Sequence, residues 1–170
     1  ILVRSTDGSV GWRHSAERNA YSQRTKGNGL GELKVEIASS WRESFRYRAE
    51  VQGDDALAAS AGLRPPQIGA LHAIGSHWSL YRHPATIVMP TGTGKTETML
   101  STLAAYAQGT MLVVVPTRPL KEQTIHKFTT FGLLRELGAL PVDIANPIVG
   151  IISKRPRKKA DLRPYAHCHV

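Results

Sequence analysis

The sequence lacks a long apolar run and has only one cysteine. No stretch of about 20 consecutive apolar residues occurs, which excludes a membrane-spanning helix by the length criterion. The single cysteine, Cys168, excludes an internal disulfide and favours a reducing compartment, so we predict a cytoplasmic protein without a membrane partner. The chain begins Ile-Leu-Val-Arg, with neither a Met nor a signal-peptide pattern, which predicts a fragment or a processed chain.

Acidic residues are scarce relative to basic ones. The 170 residues include 22 Lys and Arg against 13 Asp and Glu, which gives a formal net charge of +9. This excess suits a polyanionic partner, nucleic acid above all, although a domain that is basic without such a partner also fits it. A hydrophobic content of 41% predicts a folded domain rather than a disordered chain.

What the sequence does contain is a glycine-rich stretch between an apolar run and a helical pattern. Residues 85–89, Ala-Thr-Ile-Val-Met, predict a strand, and Pro-Thr-Gly-Thr-Gly-Lys-Thr follows at residues 90–96. A strand, a glycine-rich turn and a helix that starts with Gly-Lys-Thr are the layout of a phosphate-binding loop. The full pattern has a glycine where this chain has Met89. The stretch predicts a nucleoside triphosphate site, with a glycine-rich turn and an incidental lysine as the alternative.

The residue types in this loop suit an anion. Gly92 and Gly94 permit positive φ, so the backbone can approach a phosphate closely with its N–H groups directed at it. Lys95 supplies a cation at the outer phosphates, and Thr96 can place a hydroxyl on a magnesium ion.

The first third of the chain gives a weaker pattern. Residues 1–31 are polar and glycine-rich and predict an irregular lead-in. In residues 32–52 an apolar residue at every fourth position indicates a helix, whereas alternation over residues 45–51 indicates a strand. We favour a helix throughout because this run contains no Gly or Pro, and we predict a second short helix over residues 54–61.

Helices and strands alternate in the remaining two thirds. The predicted helices run from residue 65 to before Pro84, from 95 to 108, and from about 120 to 131, and the predicted strands are 85–89, 110–115, 147–152 and an incipient one at 166–170. The uniformly apolar run at residues 110–115 indicates a parallel strand buried on both faces. Residues 85–115 therefore predict a right-handed βαβ unit.

Three motifs around the loop resemble those of the first motor domain of superfamily 2 helicases, the DEAD- and DEAH-like class. Leu-Arg-Pro-Pro-Gln-Ile-Gly-Ala at residues 63–70 resembles the glutamine motif, and residues 89–96 resemble motif I. Pro-Thr-Arg-Pro-Leu-Lys-Glu-Gln at residues 116–123 resembles motif Ia, although Pro119 replaces an acidic residue common in one large branch. The resemblance covers residues 63–130.

This resemblance implies an α/β fold. We expect an incomplete RecA-like P-loop NTPase domain, with a parallel sheet and flanking helices, at residues 56–170. A mostly helical or irregular N-terminal extension of unassigned role is expected before it, at residues 1–55. The implied partners are nucleic acid, DNA or RNA, and the remainder of the motor, and the implied cofactors are ATP and Mg²⁺.

The resemblance also assigns roles to residues. It implies that Gln67 hydrogen-bonds the adenine edge, since an amide both donates and accepts, and that Arg64 assists at the base. It implies that Thr117 and Arg118 contact the nucleic-acid backbone at the end of a parallel strand. An ordinary helix-start glutamine and a surface cation are the alternatives for Gln67 and Arg118. The remaining implied nucleotide contacts are in the loop: Thr91, Gly92, Thr93, Gly94, Lys95 and Thr96. Of these, the resemblance implies that Lys95 and Thr96 are catalytic residues and that Thr96 also contacts magnesium.

Histidines and cations outside these motifs have plainer interpretations. His167, Cys168 and His169 alternate faces on a strand and cannot all reach one metal ion, so a strand start is favoured. The basic run at residues 154–159 indicates a solvated loop, with a phosphate contact or a localisation signal as the alternatives. His72, His77 and His83 are interpreted as structural or surface residues.

The sequence also has no adjacent Asp-Glu pair. Hydrolysis in the superfamily requires an apolar strand that ends in such a pair, which holds magnesium and orients water. After Glu136 the only acids are Asp143 and Asp161. We therefore expect the parent protein to be an ATP-driven helicase or translocase. A P-loop enzyme that does not act on nucleic acid, such as a kinase, and a non-catalytic nucleic-acid-binding module are the alternatives.

We predict that the purified 170-residue chain has little or no ATPase activity. The reason is the missing acidic pair, without which magnesium and water lack their carboxylate partners. Phosphate release from Mg-ATP, measured with and without an oligonucleotide, should stay at background. Robust turnover that Lys95→Ala abolishes would contradict this prediction.

Overall fold

A computed structural model describes residues 2–4, 10–12, 30–51, 60–106, 109–153 and 155–170. The described residues form two compact units. Unit 1 draws on the ranges Ile1–Ser39, Gln108–Thr130 and Asn146–Val170, and unit 2 on the ranges Ser40–Ala107 and Phe131–Ala145. In these residues no helix is long and apolar enough to cross a membrane.

Helices dominate the described part of the chain. The α-helices are α1 (Leu30–Ser44), α2 (Pro65–Leu80), α3 (Lys95–Tyr106) and α4 (Arg118–Thr130), and a 3₁₀ helix covers Lys159–Tyr165. Three of the predicted helices are therefore confirmed as α2, α3 and α4. The short helix predicted over residues 54–61 lies mostly outside the described residues.

Helix α1 confirms the fourfold apolar spacing but not the length that we predicted. Leu33, Ile37, Trp41 and Phe45 are all buried, as one stripe of a helix requires. The helix ends at Ser44, however, so the helix that we favoured over the whole run was wrong for residues 45–51. This segment instead forms isolated bridges from Ala49 to Leu63 and from Val51 to Ser60, but Tyr47 and Val51 are exposed, so the one-sided burial that the alternation predicts does not occur.

In unit 2, helices α2 and α3 pack against each other, with Leu71 and Leu100 fully buried. The Tyr106 hydroxyl, at the end of α3, donates a hydrogen bond to the Leu71 carbonyl at 3.0 Å and accepts one from the Tyr47 hydroxyl at 3.1 Å. Gly75 gives this ring its space, because a Cβ there would collide with the Tyr106 hydroxyl. These contacts fix the orientation of α2 relative to α3.

Unit 1 contains a small sheet of order β2-β1-β3. Strand β1 (Leu2–Arg4) pairs antiparallel with β2 (Val10–Trp12) and parallel with β3 (Gly150–Ile151). On the other side of β3, Val170 donates to the Ile148 carbonyl at 3.3 Å and accepts from the Gly150 N–H at 2.7 Å. This is the parallel pattern, in which one residue bonds to the two neighbours of its partner. The strand predicted at 147–152 is thus confirmed only for Gly150 and Ile151, and Val170, at the end of the incipient strand predicted at 166–170, lies beside it without forming a strand.

The parallel sheet predicted around the phosphate loop is not confirmed. Residues 85–89 and 110–115 are not strands, and Val88, Leu112 and Val114 are 87%, 73% and 82% exposed. The prediction that residues 110–115 are buried on both faces was wrong for this chain. A strand needs neighbours, and the described residues offer this run one backbone partner, the His169 carbonyl, which accepts from the Met111 N–H at 2.8 Å.

His169 is a buried junction in unit 1, with 1% of its surface exposed. Its Nδ1 accepts a hydrogen bond from the Ile148 N–H at 3.0 Å, and its Nε2 donates to the Lys34 backbone carbonyl at 3.0 Å. These partners require the neutral ring with its hydrogen on Nε2, because an amide N–H only donates and a carbonyl only accepts. Burial, the dominant cause, lowers the pKa of His169 to about 4.

This depressed pKa predicts that unit 1 loses stability in mild acid. Above about pH 6.5 the ring is neutral whether the chain is folded or unfolded, so the contribution is fully present. As the pH falls from there to the folded-state pKa of about 4, the unfolded chain takes up a proton that the folded chain excludes. The free energy of unfolding should fall by an amount on the order of 3 kcal/mol over this range.

Urea unfolding between pH 7.5 and 4.5 measures this loss. His169→Gln, which keeps a donor and an acceptor but does not titrate, should flatten the pH dependence. The matched control is His72→Gln, at an exposed histidine, and it should leave the dependence unchanged. If the free energy of unfolding falls with pH by the same amount in wild type and His169→Gln, His169 does not cause the loss.

Candidate functional site

The glycine-rich loop has the backbone conformation that its sequence predicts. Gly92 has φ of +83° and Gly94 has φ of +86°, in the left-handed region that favours glycine, and α3 begins directly afterwards at Lys95. The first N–H groups of a helix have no partner within the helix, and those of α3 lie at the end that directly follows the loop. The loop and the start of α3 together therefore have the features of an anion site.

Two side chains at the start of α2 hold this loop in place, one from the residue that caps the helix and one from its first turn. Arg64 donates from Nη1 to the Gly92 carbonyl at 2.8 Å, and Gln67 donates from Nε2 to the Gly94 carbonyl at 3.2 Å. The other end of the Gln67 amide accepts from the Arg64 backbone N–H at 2.7 Å. Four residues predicted for the nucleotide site are thus brought together in unit 2.

Gly94 is required on two grounds. Its φ is unfavourable for any side chain, and a Cβ at this position would collide with the Gln67 amide nitrogen. Its carbonyl also accepts from the Thr98 N–H at 3.0 Å and from the Thr98 hydroxyl at 3.2 Å. The Gly94 carbonyl therefore joins the loop to both α2 and α3.

These contacts add a role that sequence reasoning missed for Gln67. The side chain is 3% exposed, and each end of its amide is already hydrogen-bonded. An amide has two N–H donors and two acceptor lone pairs, so one donor and one lone pair remain for the adenine contact that stays a prediction. The sequence signal was position: a Gln at the third residue of a helix is where a capping side chain reaches back to the preceding N–H.

Lys95 folds back over the loop. Its Nζ donates to the Pro90 carbonyl at 3.0 Å, and the Thr93 hydroxyl donates to the same oxygen at 2.7 Å. The lysine side chain is exposed, as is Thr91, and Thr96 is half-buried. A phosphate oxygen carries more negative charge than a carbonyl and forms the stronger, charge-assisted hydrogen bond with an ammonium. The ammonium is therefore held in the loop by a contact that a bound phosphate can replace.

Thr117 and Arg118 lie in unit 1, at the start of α4. Thr117 caps this helix, since its hydroxyl accepts from the Leu120 N–H at 3.4 Å. Arg118 pairs with Glu122 at 3.5 Å, and both side chains are strongly exposed. Such a pair contributes less than about 1 kcal/mol and is screened by salt, so it leaves the guanidinium accessible. The nucleic-acid contact of these two residues stays a prediction.

Among the described residues, no three or more His, Cys, Asp or Glu side chains are grouped so that they could hold a metal ion. Magnesium prefers oxygen ligands and often takes several of them from bound phosphates and water. The protein oxygen that the sequence proposes for it is the Thr96 hydroxyl. Magnesium therefore fits this loop as part of a magnesium–nucleotide complex.

Residues 60–142 match a family model described as type III restriction enzyme, res subunit. The match includes Arg64, Gln67, the phosphate loop, Thr117 and Arg118, and it implies a RecA-like fold for this part of the chain. No curated protein and no solved structure matches the chain.

We predict that Gln67→Glu lowers the free energy of unfolding at pH 7.5 by about 1–3 kcal/mol. Glutamate keeps the size of the side chain but loses the Nε2 donor, and it places a carboxylate oxygen against the Gly94 carbonyl. Denaturant unfolding measures the change. The control is Gln123→Glu, the same replacement at an exposed position of α4, which should alter the stability little. Equal effects of the two replacements would contradict a structural role of the Gln67 amide.

Proposed function

We propose that the chain is the ATP-binding part of a nucleic-acid-dependent ATPase, a helicase or translocase, on the premise that residues 60–142 match the family model of the type III restriction res subunit, a superfamily 2 helicase-like domain. The observation that carries the proposal is the loop before α3. It has two glycines at positive φ, and Arg64 and Gln67 of the glutamine motif hydrogen-bond to these same two glycines.

In this proposal the loop binds the phosphates of ATP. The N–H groups of the loop and of the start of α3 surround them, and Lys95 exchanges the Pro90 carbonyl for an outer phosphate oxygen. Thr96 contributes its hydroxyl to the magnesium ion that accompanies the nucleotide. Thr91 and Thr93 complete the polar lining of the loop, and Gln67 and Arg64 contact the adenine with their remaining hydrogen-bonding groups.

Nucleic acid is the proposed second ligand. Arg118 is an exposed guanidinium at the start of α4, and its planar donor fork suits a phosphate. The net charge of +9 supports a polyanionic partner. Hydrolysis itself would depend on carboxylates from outside this chain, because the chain has no Asp-Glu pair to hold magnesium and orient water. The enzyme of this proposal is the parent protein, and the chain supplies its ATP-binding part.

We predict that Lys95→Ala weakens the binding of Mg-ATP by about tenfold or more, because it removes a charge-assisted contact to phosphate. Titration with a fluorescent ATP analogue measures the dissociation constant. Lys158→Ala is the matched control, since Lys158 is an exposed lysine outside the loop. Binding that is equally strong in wild type and Lys95→Ala would overturn the loop as the phosphate site. Binding of neither nucleotide nor oligonucleotide by the wild type would overturn the proposed function.

A further inference from the structure

The last turn of α2 and the three residues after it carry an exposed cluster of rings and a cation, which we call the aromatic patch. Its members are His77, Trp78, Tyr81, Arg82 and His83. Trp78 is 55% exposed and Tyr81 is 52% exposed, fractions that large apolar rings have when a face is not covered. The phosphate loop does not use these residues, and the motifs of the glutamine and loop regions do not include them.

The rings of the patch are held in place by their own contacts. His77 lies 5.3 Å from Tyr81 and 4.9 Å from His83 between ring centroids, and Tyr81 lies 5.0 Å from His83. The His77 Nε2 donates to the His83 carbonyl at 2.8 Å, and the Tyr81 N–H donates to the His77 carbonyl at 2.7 Å. Trp78 packs edge-on against Tyr106, with centroids 5.7 Å apart. The rings of the patch are therefore already ordered before a ligand binds, so ordering them on binding costs little conformational entropy.

The patch is separate from the nucleotide site along the same helix. Gln67, which contacts the loop, and Trp78 are 11 positions apart in α2. At a rise of 1.5 Å per residue, that separation is about 16 Å along the helix axis. An adenine bound at Gln67 thus does not account for the exposure of Trp78 and Tyr81.

The charge around the patch favours an anion. Residues 56–96 contain no Asp or Glu, and this range includes all of α2 and the whole patch. Arg82 is exposed and adjoins two ring residues of the patch, Tyr81 and His83, in the sequence. Exposed aromatic rings beside a cation, in a range without carboxylates, match the chemistry of a nucleic-acid base and its phosphate.

We propose that the aromatic patch binds single-stranded nucleic acid, with Trp78 and Tyr81 stacking on unpaired bases and Arg82 contacting a phosphate. The inference takes its class of partner from the proposed function and adds a binding surface outside the motifs. Stacking on a ring is tolerant of sequence, because every base has a π-face, and it requires bases that are not paired. DNA and RNA strands share this chemistry.

Fluorescence anisotropy of labelled oligothymidine and oligouridine, each about 15 nucleotides long, tests the proposal with the full 170-residue chain at low salt. Trp78→Ala and Tyr81→Ala should each raise the dissociation constant about fivefold or more, because each removes a stacking ring. Trp78→Phe should restore most of the affinity, since it keeps a ring. Arg82→Gln should reduce the salt dependence by about one phosphate contact. A duplex of the same length should not distinguish Trp78→Ala from wild type.

The matched control is Leu80→Ala, at a side chain that is 70% exposed in the same segment but has no ring. It should bind like the wild type, and circular dichroism should show that all variants are folded. If Leu80→Ala and Trp78→Ala weaken binding equally, the surface is a general apolar one, as for a protein partner, and base stacking is wrong. If Arg118→Ala weakens binding and the ring variants do not, the proposed function stands and the patch is excluded. If the wild type binds neither oligonucleotide, both fail.

Discussion

The hydrogen bonds at the Gly94 carbonyl are the constraint on which the rest of unit 2 depends. Gln67 of α2 and Thr98 of α3 both donate to this one oxygen, so the loop cannot shift without breaking contacts to two helices. The Gln67 amide is buried, and a buried amide that loses its partner costs about 1–3 kcal/mol. The position of α2 and the conformation of the loop are therefore coupled energetically. Gly94 permits the coupling because it has no Cβ to separate the amide from the loop.

The features of the candidate site that depend only on residues adjacent in the sequence were predictable. Positive φ at Gly92 and Gly94 follows from the need of a tight, side-chain-free turn before a helix, and a sequence displays that need directly. The contact between Gln67 and the loop was not predictable in the same way, because 27 positions separate the two partners. Its only local sign is the capping position of the glutamine at the start of α2. The resemblance to helicases implied a contact between Gln67 and adenine, which stays a prediction, and it did not indicate the contact between Gln67 and the loop.

The fold shows the same division between local and distant causes. The apolar stripe of α1 was correct because a helix satisfies its hydrogen bonds within its own segment, so periodicity alone indicates it. Residues 110–115 have an equally clear apolar pattern, yet Leu112 and Val114 are exposed. A strand depends on neighbouring strands and on layers that cover it, and a sequence pattern cannot report whether those are present. Where a partner is present, as for Val170 beside β3, backbone hydrogen bonds of the parallel pattern form.

Helix α2 gives the two proposed ligands a common element. Its first turn holds the phosphate loop through Gln67, and its last turn carries Trp78, which packs on Tyr106. Tyr106 connects the two helices a second time, because it is the last residue of α3 and its hydroxyl donates a hydrogen bond to the Leu71 carbonyl of α2. Helices α2 and α3 are thus tied at both ends, by Gly94 at one and Tyr106 at the other. A nucleotide at the loop and a base on the aromatic patch would thus contact opposite ends of the same pair of helices.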